Sequence, residues 1–396
     1  MNWILEEAKA LQETIVKDRR WLHRHAEVGE HLPETVGYVK SRLEEMGIAY
    51  QEICECGLVV LFGQKIGKCI ILRADMDALP MKEESGLAFA SLHEGAAHTC
   101  GHDMHTAMML AVCRILQKHE NEICGTIKVV FQPAEEVFRG AQKMIDAGLL
   151  ENPSVDAAVT LHVTPISPFP LGSICVSQAG PALASCDIYR IRVIGKGCHG
   201  ATPEVGVDPI AVGAHIVTAL QQINAREIAA TDAVVLTQGS FHAGNAPNAI
   251  PSEVVIEGTI RTFDDKIRQK CLKRCKEMVS SIGTAFGAKA TFDVLGGCAP
   301  LYNDIGVREC VIRNIRKMLG SDKMIEKPHK LGMASEDFGN IVKIVPGVQI
   351  SLVVNSIADG GKYPPHNPKV IFIEDPMYIG TAALTRIGMS WLEENR

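Results

Sequence analysis

The chain has 396 residues, 46% hydrophobic and 22% charged, with a formal net charge of −6. That is the make-up of an ordinary globular protein long enough for two or three domains, and the acidic balance argues against nucleic acid as a partner. Thirteen scattered cysteines, a charged amphipathic start (MNWILEEAKALQETIVKDRRWLHRH) and no run able to span a bilayer lead us to expect free thiols, a cytoplasmic location and no membrane association.

Residues 1–48 read as helices, with apolar positions at Ile4, Leu5, Ala8 and Leu11 and again at Val36, Val39, Leu43 and Met46, closed by Gly47. His23, His25 and His31 in this stretch read as surface or packing residues rather than ligands. From Leu58 the pattern turns to short apolar runs. CIILRADMDALP is a continuous buried strand ending in Asp75 and Asp77, and GTIKVVFQPAEE is a strand ending in the adjacent Glu135 and Glu136. AAVTLHV is a third, with His162 near its end. Between the first two lies HTCGHDMHT, which gathers a thiol, three imidazoles and a carboxylate ahead of an apolar helix reaching about His119. Alternating strands and helices predict an α/β domain with a mostly parallel sheet flanked by helices.

Near Pro181 the texture changes. SCDIYRIRVIGKG alternates apolar and polar residues, as do AVVLTQGSFHAG and VVIEGTIRTF. Asp208 and Pro209 form an N-cap and first-turn pair for a helix to about Asn224, and a second helix runs from Asp264 to about Ile282. This predicts an inserted, smaller two-layer α+β domain of ferredoxin-like type over 184–297, dividing a catalytic domain into 1–183 and 298–396. The final segment adds MASEDFG, the strand VQISLVV, the rigid loop PPHNP with His366, and an amphipathic helix. Cys54 with Cys56 and Cys271 with Cys275 are close in sequence, but free thiols are the simpler reading.

Cys100, His102, Glu136, His162 and His366 thus fall at loops or strand ends of one sheet, with Glu135 to spare. Gly101 lets the chain turn so that Cys100 and His102 face one point. Five mixed S, N and O donors suit two metals sharing a bridging ligand, ~3.5–4 Å apart, which can activate water and polarise an amide carbonyl. Glu135 is then free to move a proton.

The motifs RRWLHRHAEVG, LRADMDALP, HTCGHDMHT, FQPAEE, LHV, GKGCHGATPEVGVDPI, NAPNAIP, GTIRTF, MASEDFG and PPHNP run in this order through nearly the whole chain. In them the chain resembles the dinuclear metallohydrolase family of aminoacylases and related metallopeptidases. It is most similar to the amidohydrolase branch of hippurate hydrolases, N-acyl-L-amino-acid amidohydrolases, N-acetyldiaminopimelate deacetylases and plant auxin-conjugate hydrolases. The resemblance implies that Cys100, as the bridging ligand, with His102, Glu136, His162 and His366, holds two divalent metal ions. Manganese or zinc is the expected metal, and cobalt and nickel also fit such donors. It implies Glu135 as general base, Asp77 as a support of the metal centre, and His199 as the donor to the scissile carbonyl oxygen, in cis or from a second subunit. Asn248 and Arg261 are implied to bind the substrate carboxylate. From the residues alone His199 and Arg261 read as ordinary surface positions, and Asp75 has less claim than Asp77. The expected substrate is a small N-acyl-L-amino acid and the expected assembly a homodimer through the insert, which would also act as a lid. A dipeptidase or carboxypeptidase built on the same site is the alternative. Two departures stand out. Asn340-Ile341 follows MASEDFG where relatives often carry aromatic residues, and PPHNP lacks the serine that commonly follows the histidine.

Overall fold

The computed structural model describes residues 3–327, 332–358 and 360–396. It divides into two compact units, the first comprising Met1–Ala182, Tyr302–Lys330 and Asn340–Arg396, the second Leu183–Leu301 and Leu331–Gly339.

The first unit opens with helices α1 (Trp3–Ala10), α2 (Gln12–Arg24) and α3 (Pro33–Glu45). The stop at Gly47 is explicit: its φ is +68°, its N–H donates to the Glu44 carbonyl, and the Ile48 N–H donates to the Leu43 carbonyl. Both bonds satisfy carbonyls that the last helical turn leaves open, and the left-handed turn costs glycine little. Strands β1 (Gln51–Ile53), β2 (Gly57–Phe62), β3 (Cys69–Asp75), β4 (Thr126–Gln132), β5 (Ala157–Thr164) and β6 (Ile174–Val176) follow, with α4 (His102–Lys118) and α5 (Gly140–Asp146) between them. Among the described residues, eight strands form one sheet in the order β1-β2-β4-β3-β5, then Gly347–Val353, β6 and Met324–Glu326.

The sheet is mixed rather than mostly parallel. β4, β3, β5 and Gly347–Val353 run parallel in its centre. β1 and β2 are antiparallel to their neighbours, and β6 is antiparallel to Gly347–Val353. The physical reason on the first edge is connection length: β1 and β2 pair from Ile53 opposite Gly57 outward, and so short a link can join only antiparallel strands. In the parallel centre every residue of β3 and β4 is buried, which is why both read as unbroken apolar runs. Helix α4 and the C-terminal helix Met377–Glu394 supply Met104, Met108, Leu384 and Ile387 to the same core as Leu72, Val129 and Leu161.

The second unit has a four-stranded antiparallel sheet in the order Val234–Ala243, Glu253–Thr262, Cys186–Ile194, Lys289–Cys298. The helix Pro209–Gln222 links the first and second of these strands in chain order, and Asp265–Ala285 the third and fourth, giving a βαββαβ two-layer unit. Asp208 caps the first helix by accepting the Ile210 N–H at 2.9 Å, and Asp264 caps the second through the Lys266 and Ile267 N–H groups. Cys271 and Cys275, one turn apart, are buried free thiols packed with Tyr189, Ile191 and Ile216. The unit also takes in the MASEDFG segment, which the sequence placed with the last hundred residues. The Ala184 N–H bonds the Ala334 carbonyl, and Arg261 Nη1 bonds the Met333 carbonyl. Among the described residues, no helix is long and apolar enough to cross a membrane.

Candidate metal centre

Parallel strands place their carboxyl ends side by side, and the candidate ligands of the first unit gather at that edge. β3 delivers Asp75 and, two residues on, Asp77; β4 leads into Glu135 and Glu136; β5 carries His162. Helix α4 starts at His102, with Gly101 before it at φ +93°. A Cβ at Gly101 would lie 2.3 Å from Val163 Cγ2, so the turn that aims Cys100 and His102 together requires glycine. His366 sits at φ +64°, a strained backbone conformation for a side chain larger than glycine's. Its N–H donates to the Thr99 carbonyl at 2.9 Å, which ties the last ligand loop to the Cys100 segment.

The ring nitrogens are arranged for metal ligation. His102 Nδ1 donates to the Asp77 carbonyl at 2.8 Å, leaving Nε2 with an outward lone pair. That atom is 3.9 Å from Glu136 Oε1 and 3.8 Å from Asp75 Oδ2. His162 Nδ1 donates to the Val163 carbonyl at 2.7 Å, and its Nε2 lies 3.4 Å from Cys100 Sγ. His366 Nε2 is 3.4 Å from Glu136 Oε1. Donor atoms of Cys100, His102 and His162 lie within 4.8 Å of one another, as do those of Cys100, Glu136 and His366, and those of His102, Glu135 and Glu136. Cys100 belongs to two of these groups, so one thiol faces both halves of the cluster.

His102 Nε2 and Glu136 Oε1 are buried without a hydrogen-bond partner. A buried polar atom left unpaired is costly, and two of them pointing into one donor cluster are accounted for by a bound cation. The electrostatics agree. Burial disfavours a charged His102, but Asp75, Cys100 and Asp77 outweigh it and raise the imidazole well above its ordinary range. Anions that favour a proton there also favour a metal ion. Burial pushes the His162 imidazole down to about 3, keeping it neutral. The neighbouring Cys100 and Glu136 raise His366 to about 10. Burial pushes the Cys100 thiol up, and the Glu136 carboxylate adds to it; a metal would reverse this by stabilising the thiolate. The residues therefore fit a pair of divalent metal ions.

A model of the peptidase family M20/M25/M40 matches residues 71–390. The chain belongs to this family. The N-acetyl-L-cysteine deacetylase of Bacillus subtilis (strain 168) is 35% identical to it over 339 residues, covering 85% of this chain and 79% of that protein. Thermostable carboxypeptidase 2 of Saccharolobus solfataricus is 33% identical over 384 residues, 95% of each. Among solved structures, the YXEP protein of Bacillus subtilis, described as a dinuclear metal binding peptidase of family M20, has a TM-score of 0.76 at 30% identity. That match covers 97% of this chain and 99% of that one. With the donor set above, these relationships make the protein a metal-dependent amidohydrolase of family M20.

Other expected residues lie in the second unit. His199 and Asn248 are exposed and adjacent, on or beside a two-stranded ribbon in which His199 pairs with Ala249. The Gly200 N–H donates to the Asn248 carbonyl at 2.8 Å. His199 Nδ1 accepts the Ala201 N–H at 3.0 Å, which assigns its proton to Nε2. Arg261 is half-buried, with Nη1 donating to the Met333 carbonyl and to Ser335 Oγ.

Two sets of residues escaped the sequence reading. Asp75 is fully buried against Arg73 and His105, at 2.6 and 2.5 Å; burial pushes its carboxyl up, but His102, Arg73 and His105 hold it well below the usual range. His23, read as a packing or surface residue, is a packing one, and its partners are what the sequence did not show: it is buried between Asp103 and Glu83, with Arg19 also on Asp103. A signal existed: Arg19 and His23 are four apart, hence on one helix face, and Asp103 directly follows a candidate ligand.

Proposed function

We propose that this protein hydrolyses the amide bond of N-acyl-L-amino acids, giving a carboxylic acid and a free amino acid. The observation that carries the proposal is the position of Glu135. Its carboxylate is buried, shares a donor cluster with His102 and Glu136, and follows directly after the strand β4. When bound at Cys100, His102, Glu136, His162 and His366, two divalent ions would supply Lewis-acid polarisation of the carbonyl and lower the pKa of water. Manganese or zinc is the proposed pair.

The chain's own residues do the rest. Glu135, as general base, takes the proton from the attacking water and returns it to the leaving nitrogen. Asp77 fixes the two glutamates through their backbone amides. His199 offers its Nε2–H to the carbonyl oxygen as negative charge develops there. Arg261 keeps its Nη2 for the substrate carboxylate, and Asn248 adds a polar contact. We further propose that the enzyme works in the cytoplasm as a homodimer joined through the inserted unit, which also closes over the substrate.

The experiment is a panel of N-acetyl, N-benzoyl and long-chain acyl amino acids with unblocked dipeptides, run on chelator-treated protein with manganese, zinc, cobalt or nickel restored. Metal-dependent release from the acyl amino acids is the expected result. A second reading, peptide hydrolysis from a free carboxyl end, has the carboxypeptidase relative in its favour; turnover confined to unblocked peptides would establish it in place of the first.

A further inference from the structure

His105 stands three residues after His102 on α4, buried, with its ring 4.8 Å from that of His162. By type and position it looks like another ligand, and Asp75, His102 and His105 do bring donor atoms together. Its hydrogen bonds say otherwise. Nδ1 donates to Asp75 Oδ1 at 2.5 Å, and Nε2 accepts the Val163 N–H at 2.9 Å. Both nitrogens are engaged, and a ring that donates at Nδ1 and accepts at Nε2 is a neutral imidazole in one defined tautomer. No lone pair is left for a metal.

The residue whose backbone His105 grips, Val163, is also the one that orients His162. The N–H of the His162–Val163 peptide is held by His105 Nε2, and the carbonyl of the next peptide, Val163–Thr164, accepts the proton of His162 Nδ1 at 2.7 Å. On the far side, Asp75 is fixed by Arg73 Nη1 at 2.6 Å, and its backbone carbonyl accepts from Thr106 Oγ1 at 3.0 Å. Hydrogen bonds therefore run from Arg73 through Asp75 and His105 to the backbone of Val163, whose carbonyl holds the half-buried His162 and leaves its Nε2 facing Cys100 Sγ.

We infer that His105 is a positioning residue: by holding the Val163 N–H it fixes the backbone of Val163, whose carbonyl in turn sets the orientation of His162 as a metal donor. This rests on the reading of the cluster as a metal centre. It assigns the chain Arg73–Asp75–His105 a task separate from that of Asp77, which serves His102 and the two glutamates.

Two substitutions separate the two ends of the clamp. In His105→Gln the side-chain amide reaches the place of Nε2 and its oxygen can still accept the Val163 N–H. In His105→Asn the amide stays at the level of Nδ1, satisfies Asp75, and leaves the Val163 N–H unpaired. Cobalt(II) is titrated into chelator-treated wild-type protein and both variants, following the thiolate-to-cobalt charge-transfer band that Cys100 would give. The expected result is a loss of about 10- to 100-fold in affinity for one of the two ions in His105→Asn, with His105→Gln within about threefold of wild type. Equal losses in both variants, or none in either, would overturn the inference. Thermal melting of the metal-free proteins reports folding separately. If His105→Asn does not fold, the long-range 1H–15N spectrum of the unaltered protein decides: a proton on Nε2 of His105 overturns the inference, one on Nδ1 sustains it. Wild-type protein that takes up no cobalt would instead overturn the metal centre itself.

Discussion

Asp77 Oδ1 accepts the backbone N–H of Glu135 at 2.9 Å, while its Oδ2 accepts that of Glu136 at 3.1 Å. One carboxylate at the exit of β3 thus fixes the exit of β4, and its own main-chain carbonyl fixes His102. Burial raises the Asp77 carboxyl despite the His102 ring and the Glu135 amide, so this group is held in place by its bonds at some electrostatic cost. Asp77→Asn places an NH2 against one of two N–H donors. Metal affinity is expected to fall by about 10- to 100-fold, and stability by about 1–3 kcal/mol for the buried donors left unpaired. Calorimetric metal titration and urea unfolding check the two effects separately. Wild-type affinity in this variant would remove Asp77 from the supporting role.

Glu135 should be separable from metal binding. Glu135→Gln keeps the shape and the backbone amide bonded to Asp77, and removes only the capacity to take a proton. A drop in kcat of about 10²- to 10⁴-fold is expected, with two metal ions per chain retained by elemental analysis. A kcat within a few-fold of wild type would sink the general-base assignment.

Metal uptake should release protons. The neighbouring Cys100 and Glu136 raise His366 to about 10, so in metal-free protein this ring carries a proton at neutral pH that a metal must displace. The sign is fixed: affinity rises as pH increases from about 6 towards 9. In metal-free protein the linkage runs the other way. A raised histidine contributes stability that is complete below its unfolded value near 6.5 and is lost as pH climbs through about 10. Because the His366 side chain is 52% exposed, that second effect is expected to be small. Metal titrations in buffers of different ionisation enthalpy count the protons; a pH-independent affinity would contradict the geometry around His366.

The sequence made the candidate site legible where the side chain itself was the signal. Cys100, His102, Glu135, Glu136 and His162 announce themselves as polar groups at the ends of apolar runs, and parallel strands gather such ends at one edge. The antiparallel pairing of β2 with β4, and of β6 with Gly347–Val353, was not legible, because pairing between distant segments leaves no local pattern. The role of His105 was not legible for a related reason. Its partner is the Val163 amide, and a backbone N–H has no letter in the sequence, so a histidine whose nitrogens are both engaged looks the same as a free ligand. The MASEDFG segment joins the second unit through carbonyls of Met333 and Ala334, again contacts made by the main chain.

His23 and Glu83 offer a test away from the candidate metal ligands. His23 Nε2 lies 3.0 Å from Glu83 Oε1, with side-chain exposures of only 4% and 6%. Burial pushes Glu83 up, but His23, Ser85 and the Ser91 amide outweigh it and bring the carboxyl down to about 2. On the other ring nitrogen, Asp103 sits 2.8 Å away; burial lowers His23, and Asp103 and Glu83 together raise it above its ordinary value. A depressed carboxyl contributes stability that is complete above its unfolded value near 4.5 and is lost as pH falls towards about 2. Glu83→Gln removes that contribution, and should therefore be less stable than wild type by about 2 kcal/mol at neutral pH, with the gap closing between pH 4.5 and 2. Urea melts of metal-free protein across that window measure it. A gap that stays constant with pH would mean the ion pair contributes only packing, and that the charge on His23 is balanced by Asp103 alone.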